Sequence, residues 1–410
     1  MYSRTINERQ PRPGGVAETL VLALAARLTH GRLTLHLPDG RTRVFEGAEA
    51  GPAAEIRVRH PRVFRRLLSG GNLGLAATYM DGDWESPDLV SLITLGALNE
   101  EVLGRTLGGN LWVRSASRLF HALRSNTKRG SRRNIAAHYD LGNTFYAAWL
   151  DPSLTYSAGL FASAGDSDLA ASQDRKYRRI AELARIRPGD HVLEIGCGWG
   201  GFCTWAARNL DCRVTAITIS REQYAYCRKR LQDEGLEDRV DLRLQDYRDL
   251  DGQYDAIVSI EMLEAVGEAY WPTYFSQLRE RLKPGAHAAL QVITIADDRF
   301  EQYRRSVDFI QRYIFPGGML PSPEVLRRLT GNIRLEVKAV ESHGSDYART
   351  LALWRQRFER AWPRIAATPD VDFDAHFRLM WRYYLAYCEA GFQVGRIDLL
   401  HLALQRPEAA

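Results

Sequence analysis

Residues 191–202 read HVLEIGCGWGGF, and no other stretch of the chain limits its fold so sharply. An apolar run of strand length, residues 191–195, passes into Gly196-Cys197-Gly198-Trp199-Gly200-Gly201. It continues as FCTWAARNL, whose apolar residues recur at helical spacing. Glycines let the backbone turn sharply and approach a ligand, which then sits at the carboxyl edge of the strand. Further strand-length apolar runs follow between helical stretches: RVTAITI, VDLRLQD, YDAIVSI, AHAALQVITI and RLEVKAVES. This alternation predicts an α/β domain whose sheet is mostly parallel and covered by helices on both faces.

Dinucleotide-binding proteins also carry a glycine-rich loop here. The acid before the loop, Glu194, and the form E-x-G-x-G-x-G favour S-adenosylmethionine instead. In such sites the acid serves the charged amino-acid end of the cofactor and the glycines its ribose side. The next strand ends in Thr218-Ile219-Ser220-Arg221-Glu222-Gln223, without the acid that methyltransferases usually place there for ribose hydroxyls. Thr218 and Gln223 can hydrogen-bond in its stead. The third strand ends in Gln245-Asp246-Tyr247. Asp246 there either meets an adenine amino group, with Tyr247 beside the ring, or caps a helix.

Upstream the pattern differs. Residues 17–100 read as a small α+β unit: a helix in VAETLVLALAARL, a hairpin turning at Asp39-Gly40, a strand in AEIRVRH, then helix, glycine turn and helix through residue 82. The expected divisions are 1–103 for this unit, 104–133 for a linker and 134–410 for the α/β domain. The linker carries eight basic residues and no acidic one, although the whole chain has a net charge of only +5. Trp112, Ala116, Leu119, Phe120 and Leu123 fall on one helical face of it. It is either a linker docked on the protein or a basic amphipathic segment that lies on anionic lipid.

At 410 residues, 45% hydrophobic and 26% charged, the chain has the composition of a globular protein of two or three domains. No apolar run approaches the roughly 20 residues of a membrane span, and MYSRTINERQPRPGG lacks the apolar stretch of a secretory signal. A cytoplasmic protein is expected. Five cysteines without CxxC spacing and scattered histidines point to neither disulfides nor a metal site. The small net charge gives no reason to expect nucleic-acid binding.

Together HYDLGNTFYAAWLDPSLTYSAGLF, VLEIGCGWGGF, TISREQ, QDYRDL, IVSIEMLEAVG, YIFPGGMLPS, DYARTLALW and MWRYYLAYCEAGF resemble the cyclopropane fatty acid synthase family. The likeness runs from residue 134 to 405 and extends weakly upstream through GNLGLAATYMDGDWE. It implies a class I, Rossmann-like methyltransferase domain preceded by a small α+β domain. It also implies an enzyme that uses S-adenosylmethionine to methylate the cis double bond of acyl chains in membrane phospholipid. The cofactor is then expected against Tyr156, Ser157, the loop Val192, Glu194, Gly196, Cys197, Gly198, Trp199 and Gly200, then Thr218, Ile219, Ser220, Gln223, Asp246 and Tyr247. A bicarbonate ion is expected between Glu264, Tyr347, the Ile293 backbone, Gln291 and Ala158. The chain departs from the family at Ala158, where cysteine is common, at Gln291, where histidine is common, and at Ala265, where histidine often follows the glutamate. Cys388 matches a cysteine long proposed as catalytic, with a buried structural role as its alternative. Peripheral attachment to an anionic membrane surface is implied, and a homodimer is possible.

An isolated alkene is a poor nucleophile, so such a site must press it against the methyl donor in a dry, oriented pocket; orientation supplies roughly 7–11 kcal/mol in favourable cases. Methyl transfer leaves a carbocation on the chain, which aromatic faces stabilise without attacking it. Tyr139, Phe145, Tyr313, Phe315 and Tyr347 are candidates for that role or for plain core packing. Proton loss from the new methyl closes a cyclopropane, whereas loss from a neighbouring carbon leaves a methyl-branched alkene.

Overall fold

The computed structural model describes residues 15–107, 127, 130, 141–368 and 373–408. Most of the basic segment, and Tyr139, lie outside them. The chain forms two compact units that divide between residues 113 and 114.

In the first unit, α1 (Val16–Ala25) precedes β1 (His30–His36) and β2 (Thr42–Glu46), which form the expected hairpin. Leu37 N–H closes its turn on the Arg41 carbonyl at 2.8 Å. β3 (Glu49–Val58) pairs parallel to β1, and the short β4 (Trp84–Glu85) completes the sheet order β2-β1-β3-β4. α2 (Arg62–Met80) is broken where the glycine turn was expected, at Gly71 with φ 55° and ψ −139°. α3 (Leu89–Leu98) and α4 (Glu100–Leu107) follow, so helix continues beyond the expected boundary at residue 103. Asn99 between them accepts from Thr29 and His30 N–H at 2.8 and 3.1 Å, which satisfies backbone donors at the entry to β1.

The second unit is the predicted α/β domain. It begins with α5 (Asn143–Ala147) and α6 (Leu169–Leu183), then alternates β5 (His191–Ile195), α7 (Gly201–Asn209), β6 (Arg213–Thr218), α8 (Arg221–Asp233), β7 (Val240–Leu244) and β8 (Tyr254–Ile260). The one-turn α9 (Leu263–Val266) and α10 (Trp271–Arg281) lead into β9 (Leu282–Ile295). α11 (Asp297–Arg304), α12 (Pro323–Asn332), β10 (Glu336–Ser342), α13 (Gly344–Ala366), α14 (Ala375–Gln393) and β11 (Ile397–Gln405) complete it. The sheet order is β10-β11-β9-β8-β5-β6-β7, parallel from β9 through β7, with β11 antiparallel to both its neighbours.

Strand alternation divides the core. Leu193 and Ile195 pack toward the face covered by α10 and α12, with Trp271, Leu278 and Leu326. Val192 packs toward α6 and α7, with Ile180, Phe202 and Ala206. The strand order reverses between β5 and β8, and at such a switch point the loops diverge to leave a crevice at the carboxyl edge. The strand β11 was not among the expected runs. IDLLHLALQ is apolar enough for one, but it follows a long helix directly, without the βα alternation that marks the others.

Candidate active site

The glycine-rich loop leaves β5 at this switch point. Gly196 and Cys197 N–H groups donate to the Ile217 carbonyl at 3.0 and 2.9 Å, which anchors the loop to the end of β6. Gly200 caps α7 with φ 83°, and a Cβ there would stand 2.4 Å from Cys227 Sγ on α8. Side chains other than glycine are excluded twice over, by backbone conformation and by space. A Cβ on Gly198, by contrast, would meet nothing within 4 Å, so the loop is open at the side where a ligand would approach. Trp199 Nε1 donates to Asn143 Oδ1 at 2.6 Å and its ring lies 4.8 Å from Tyr146, tying the loop to α5.

Glu194 is buried on the α7 face, and burial pushes its carboxyl up to about 8 while Cys203 partly offsets this. Its Oε2 has no hydrogen-bond partner among the described residues. A buried oxygen left unpaired costs roughly 1–3 kcal/mol, and an incoming ammonium group would satisfy it. The donor chemistry therefore fits the amino-acid end of S-adenosylmethionine. Thr218 donates to Gln223 Oε1 at 2.9 Å, and Ser220 accepts from Gln223 N–H at 3.3 Å as the cap of α8, with half-buried Ile219 between them. Asp246 does cap the turn that follows it. Its carboxylate accepts from Arg248 N–H at 3.0 Å and holds the Arg248 guanidinium in two bonds of 2.8 Å. Tyr247 lies beside it with a buried, unpartnered Oη.

Three of the five groups expected around bicarbonate, Ala158, Gln291 and Tyr347, converge, but about a side chain that was not foreseen. Glu261, one residue beyond β8, accepts from Ala158 N–H at 2.9 Å and from Gln291 Nε2 at 2.7 Å on Oε1. Its Oε2 accepts from Tyr347 Oη at 2.6 Å. Sheet register explains the meeting: Gln291 lies beside Ile260 on β8 and opposite His401 on β11. Glu261 N–H donates to the Gln291 carbonyl at 2.8 Å. His401 Nε2 and Gln291 Oε1 are 2.9 Å apart. Burial and the neighbouring His343 lower His401 to about 3, so the imidazole is neutral and donates. That donor turns the Gln291 amide so that its NH₂ faces Glu261. Ala158 is presented by a loop fixed to α13, where Gly159 N–H donates to Thr350 at 3.2 Å and Phe161 N–H to Asp346 at 2.9 Å.

Glu264 lies three residues on, with Oε1 accepting from Ile293 N–H at 2.5 Å and Oε2 buried without a partner among the described residues. Burial, reinforced by Glu261, pushes its carboxyl up to about 8, so it is neutral at physiological pH. Lys176, fully buried on α6, donates to Ser157 Oγ at 2.7 Å. Burial lowers its ammonium, and attraction to Glu261, Asp151 and Glu194 opposes the shift. Burial likewise raises Glu261, against the pull of Tyr347, Ala158, Gln291 and Lys176.

Tyr156 shares a 2.7 Å hydrogen bond with Tyr384, and its ring faces Trp354 at 5.3 Å and Phe315 at 6.5 Å. Tyr347 stacks on Phe392 at 4.4 Å. Phe145 instead sits in the core between Trp381 and Phe373, and Tyr313 packs on Phe309. Cys388 is held as a thiol by burial and by the charge of Asp308, which disfavours a nucleophilic thiolate. Glu341, His343 and His401 bring ligand atoms within 4.8 Å of one another, a grouping that sequence spacing did not reveal. Arg179 already pairs with Glu341, and His401 is committed to Gln291.

A family profile for mycolic acid cyclopropane synthetase matches residues 126–402. Tuberculostearic acid methyltransferase UfaA1 of Mycobacterium tuberculosis is 38% identical over 96% of this chain and 93% of its own. Cyclopropane-fatty-acyl-phospholipid synthase of Escherichia coli K12 is 37% identical over 86% of this chain and 88% of its own. The solved structure of mycolic acid cyclopropane synthase CmaA1, complexed with SAH and CTAB, superposes with a TM-score of 0.62 at 27% identity. It covers 67% of this chain and 98% of its own.

Proposed function

The chain belongs to the mycolic acid cyclopropane synthetase family of S-adenosylmethionine-dependent methyltransferases, and from that premise we propose that it acts on the cis double bond of unsaturated acyl chains in membrane phospholipid, closing a cyclopropane ring. The observation that carries the reading is the pair of buried carboxyls Glu261 and Glu264, with Tyr347 bonded to Glu261 and the intervening Met262 against Gly196 of the glycine loop. Bound S-adenosylmethionine supplies an electrophilic methyl group on a sulfonium. Glu194 would hold its ammonium, and the open side of Gly198 would admit its ribose. The chain's own residues do the rest. Aromatic faces at Tyr156 and Tyr347 support cationic character on the substrate. Burial excludes the water that would otherwise capture a carbocation, and a carboxylate takes up the departing proton.

A second reading is a methyl-branched or methylene product. The 38% identity to a tuberculostearic acid methyltransferase over nearly the whole chain favours it. Both follow from the same methyl transfer and differ in which proton leaves. Mass spectrometry of lipids from vesicles of monounsaturated phospholipid, incubated with purified protein and cofactor, separates them. A gain of one CH₂ with loss of the double bond indicates the ring, and the same gain with unsaturation kept indicates the branch. Unaltered acyl chains would refute both.

The eight basic residues of 104–133 support peripheral attachment to anionic lipid, at about 1 kcal/mol each near such a surface. No helix among the described residues is long and apolar enough to cross a membrane. Sedimentation with vesicles of rising anionic fraction is expected to show binding that weakens with salt. Binding indifferent to both would count against the attachment.

A further inference from the structure

Bicarbonate does not fit this site as it stands. Three of the groups expected to hold the ion, Ala158 N–H, Gln291 Nε2 and Tyr347 Oη, are spent on Glu261. Ile293 N–H is spent on Glu264 Oε1, which leaves only Glu264 Oε2 open among the five groups. An added anion would also meet the negative charge of Glu261. We propose that Glu261 is the built-in base of this enzyme and takes the place of an external anion; the proposal rests on the functional reading above.

Four observations converge on it. Three donors from three separate segments point at one carboxylate, a set that stabilises the ionised form. Lys176 is buried nearby, and although burial lowers its ammonium to about 7, attraction to Glu261 opposes that shift and favours the anion. Burial and the neighbouring Glu261 push Glu264 up to about 8, and its single backbone donor against the three on Glu261 favours the anion on Glu261. The backbone of Glu261 lies at φ 48°, in the left-handed region. There a side chain costs roughly 1–2 kcal/mol that glycine would not incur, and strain of this kind gathers at functional sites.

The step balances. Addition of the methyl group to the alkene leaves a carbocation on the acyl chain and the donor as a neutral thioether. A Glu261 oxygen then forms an O–H bond with a proton of the methylated chain. The electron pair of the broken C–H bond closes the third C–C bond of a cyclopropane, or forms a C=C bond if the proton comes from a neighbouring carbon. Glu261 ends as a carboxylic acid and returns its proton to solvent.

The test uses the full-length protein, monounsaturated phospholipid vesicles and carbon-dioxide-free buffer. The wild type is expected to turn over at the same rate with and without added bicarbonate. Glu261→Gln keeps the shape, removes the base and is expected to lose about 10²–10⁴-fold in rate, with SAH affinity by calorimetry unchanged. Glu261→Gly suits the local backbone and frees the three donors. It is expected to be inactive until bicarbonate is added, and to show a bound ¹³C-bicarbonate resonance that the wild type lacks. A wild type that requires bicarbonate, or a Glu261→Gln enzyme that keeps its rate, would overturn the proposal. A wild type that methylates no lipid at all would instead bring down the functional reading and this proposal with it.

Discussion

Replacing Gly200 by alanine tests the geometry on which the cofactor loop depends. The residue sits at φ 83° as the cap of α7, and a new Cβ would lie 2.4 Å from Cys227 Sγ and 3.5 Å from Cys203 Sγ. Cys227 is fully buried and has little room to retreat. The left-handed backbone costs an alanine roughly 1–2 kcal/mol. Forcing extra volume into a filled core costs roughly 1–3 kcal/mol more. The sum, about 2–5 kcal/mol, is a large share of a domain's stability. Cys227→Ala alone removes a buried sulfur at a cost of about 1 kcal/mol. Combined with Gly200→Ala it removes the clash and leaves only the backbone term, so the pair is expected to couple favourably by about 1–3 kcal/mol. Urea unfolding of the four proteins, followed by circular dichroism, measures the cycle, and SAH calorimetry shows whether the loop still binds. A Gly200→Ala protein within about 0.5 kcal/mol of wild type, or a cycle that is additive, would refute the reasoning.

Tyr347→Phe removes one donor from Glu261. A hydrogen bond to a charged group is worth about 1.5–3 kcal/mol, so the acid limb of the kcat profile is expected to rise by about one to two pH units; an unmoved limb would detach Tyr347 from the base. Glu264→Gln removes a titration from the folded state. Between its usual value of 4.5 and about 8 the folded wild type holds a proton that the unfolded chain has released, so stability falls as pH rises through that window. The variant is expected to gain on the wild type across the same window, as measured by unfolding at pH 5, 6.5 and 8; a constant difference would contradict the burial argument. Glu194 is protonated below about pH 8 in the free protein, and pairing with an ammonium requires its anion. SAH binding at pH 7 is therefore expected to release a proton, detected by calorimetry in buffers of different ionisation enthalpy. Glu194→Gln is expected to bind more weakly and release none.

Local signals were legible because they depend on neighbours in the chain. The loop at 196–201 needs glycine for its own backbone, and the alternation of strands and helices follows from side-chain periodicity. The hairpin at Asp39-Gly40 and the break in α2 at Gly71 likewise obey local conformational rules. Asp246 shows the limit of such reasoning: its position allowed a cap, but its pairing with the Arg248 guanidinium was not legible in the chain.

The sequence by itself determined an α/β unit and the location of its glycine loop, and its resemblance to a known family pointed to the set Ala158, Glu264, Gln291, Ile293 and Tyr347. Only the tertiary structure decided what that set surrounds. Glu261 stands three residues before Glu264, the carboxylate that the resemblance singled out, and nothing in IEMLEAVG marks Glu261 for a role. Their difference arises when β8 ends in a left-handed turn, β9 brings Gln291 alongside, and α13 brings Tyr347 from 86 residues away. Lys176 and His401 join from α6 and the antiparallel β11, where no motif marks them. Charge and proton affinity are properties of a packed environment: burial raises both carboxyls, and the converging donors favour the anion on one of two chemically identical groups.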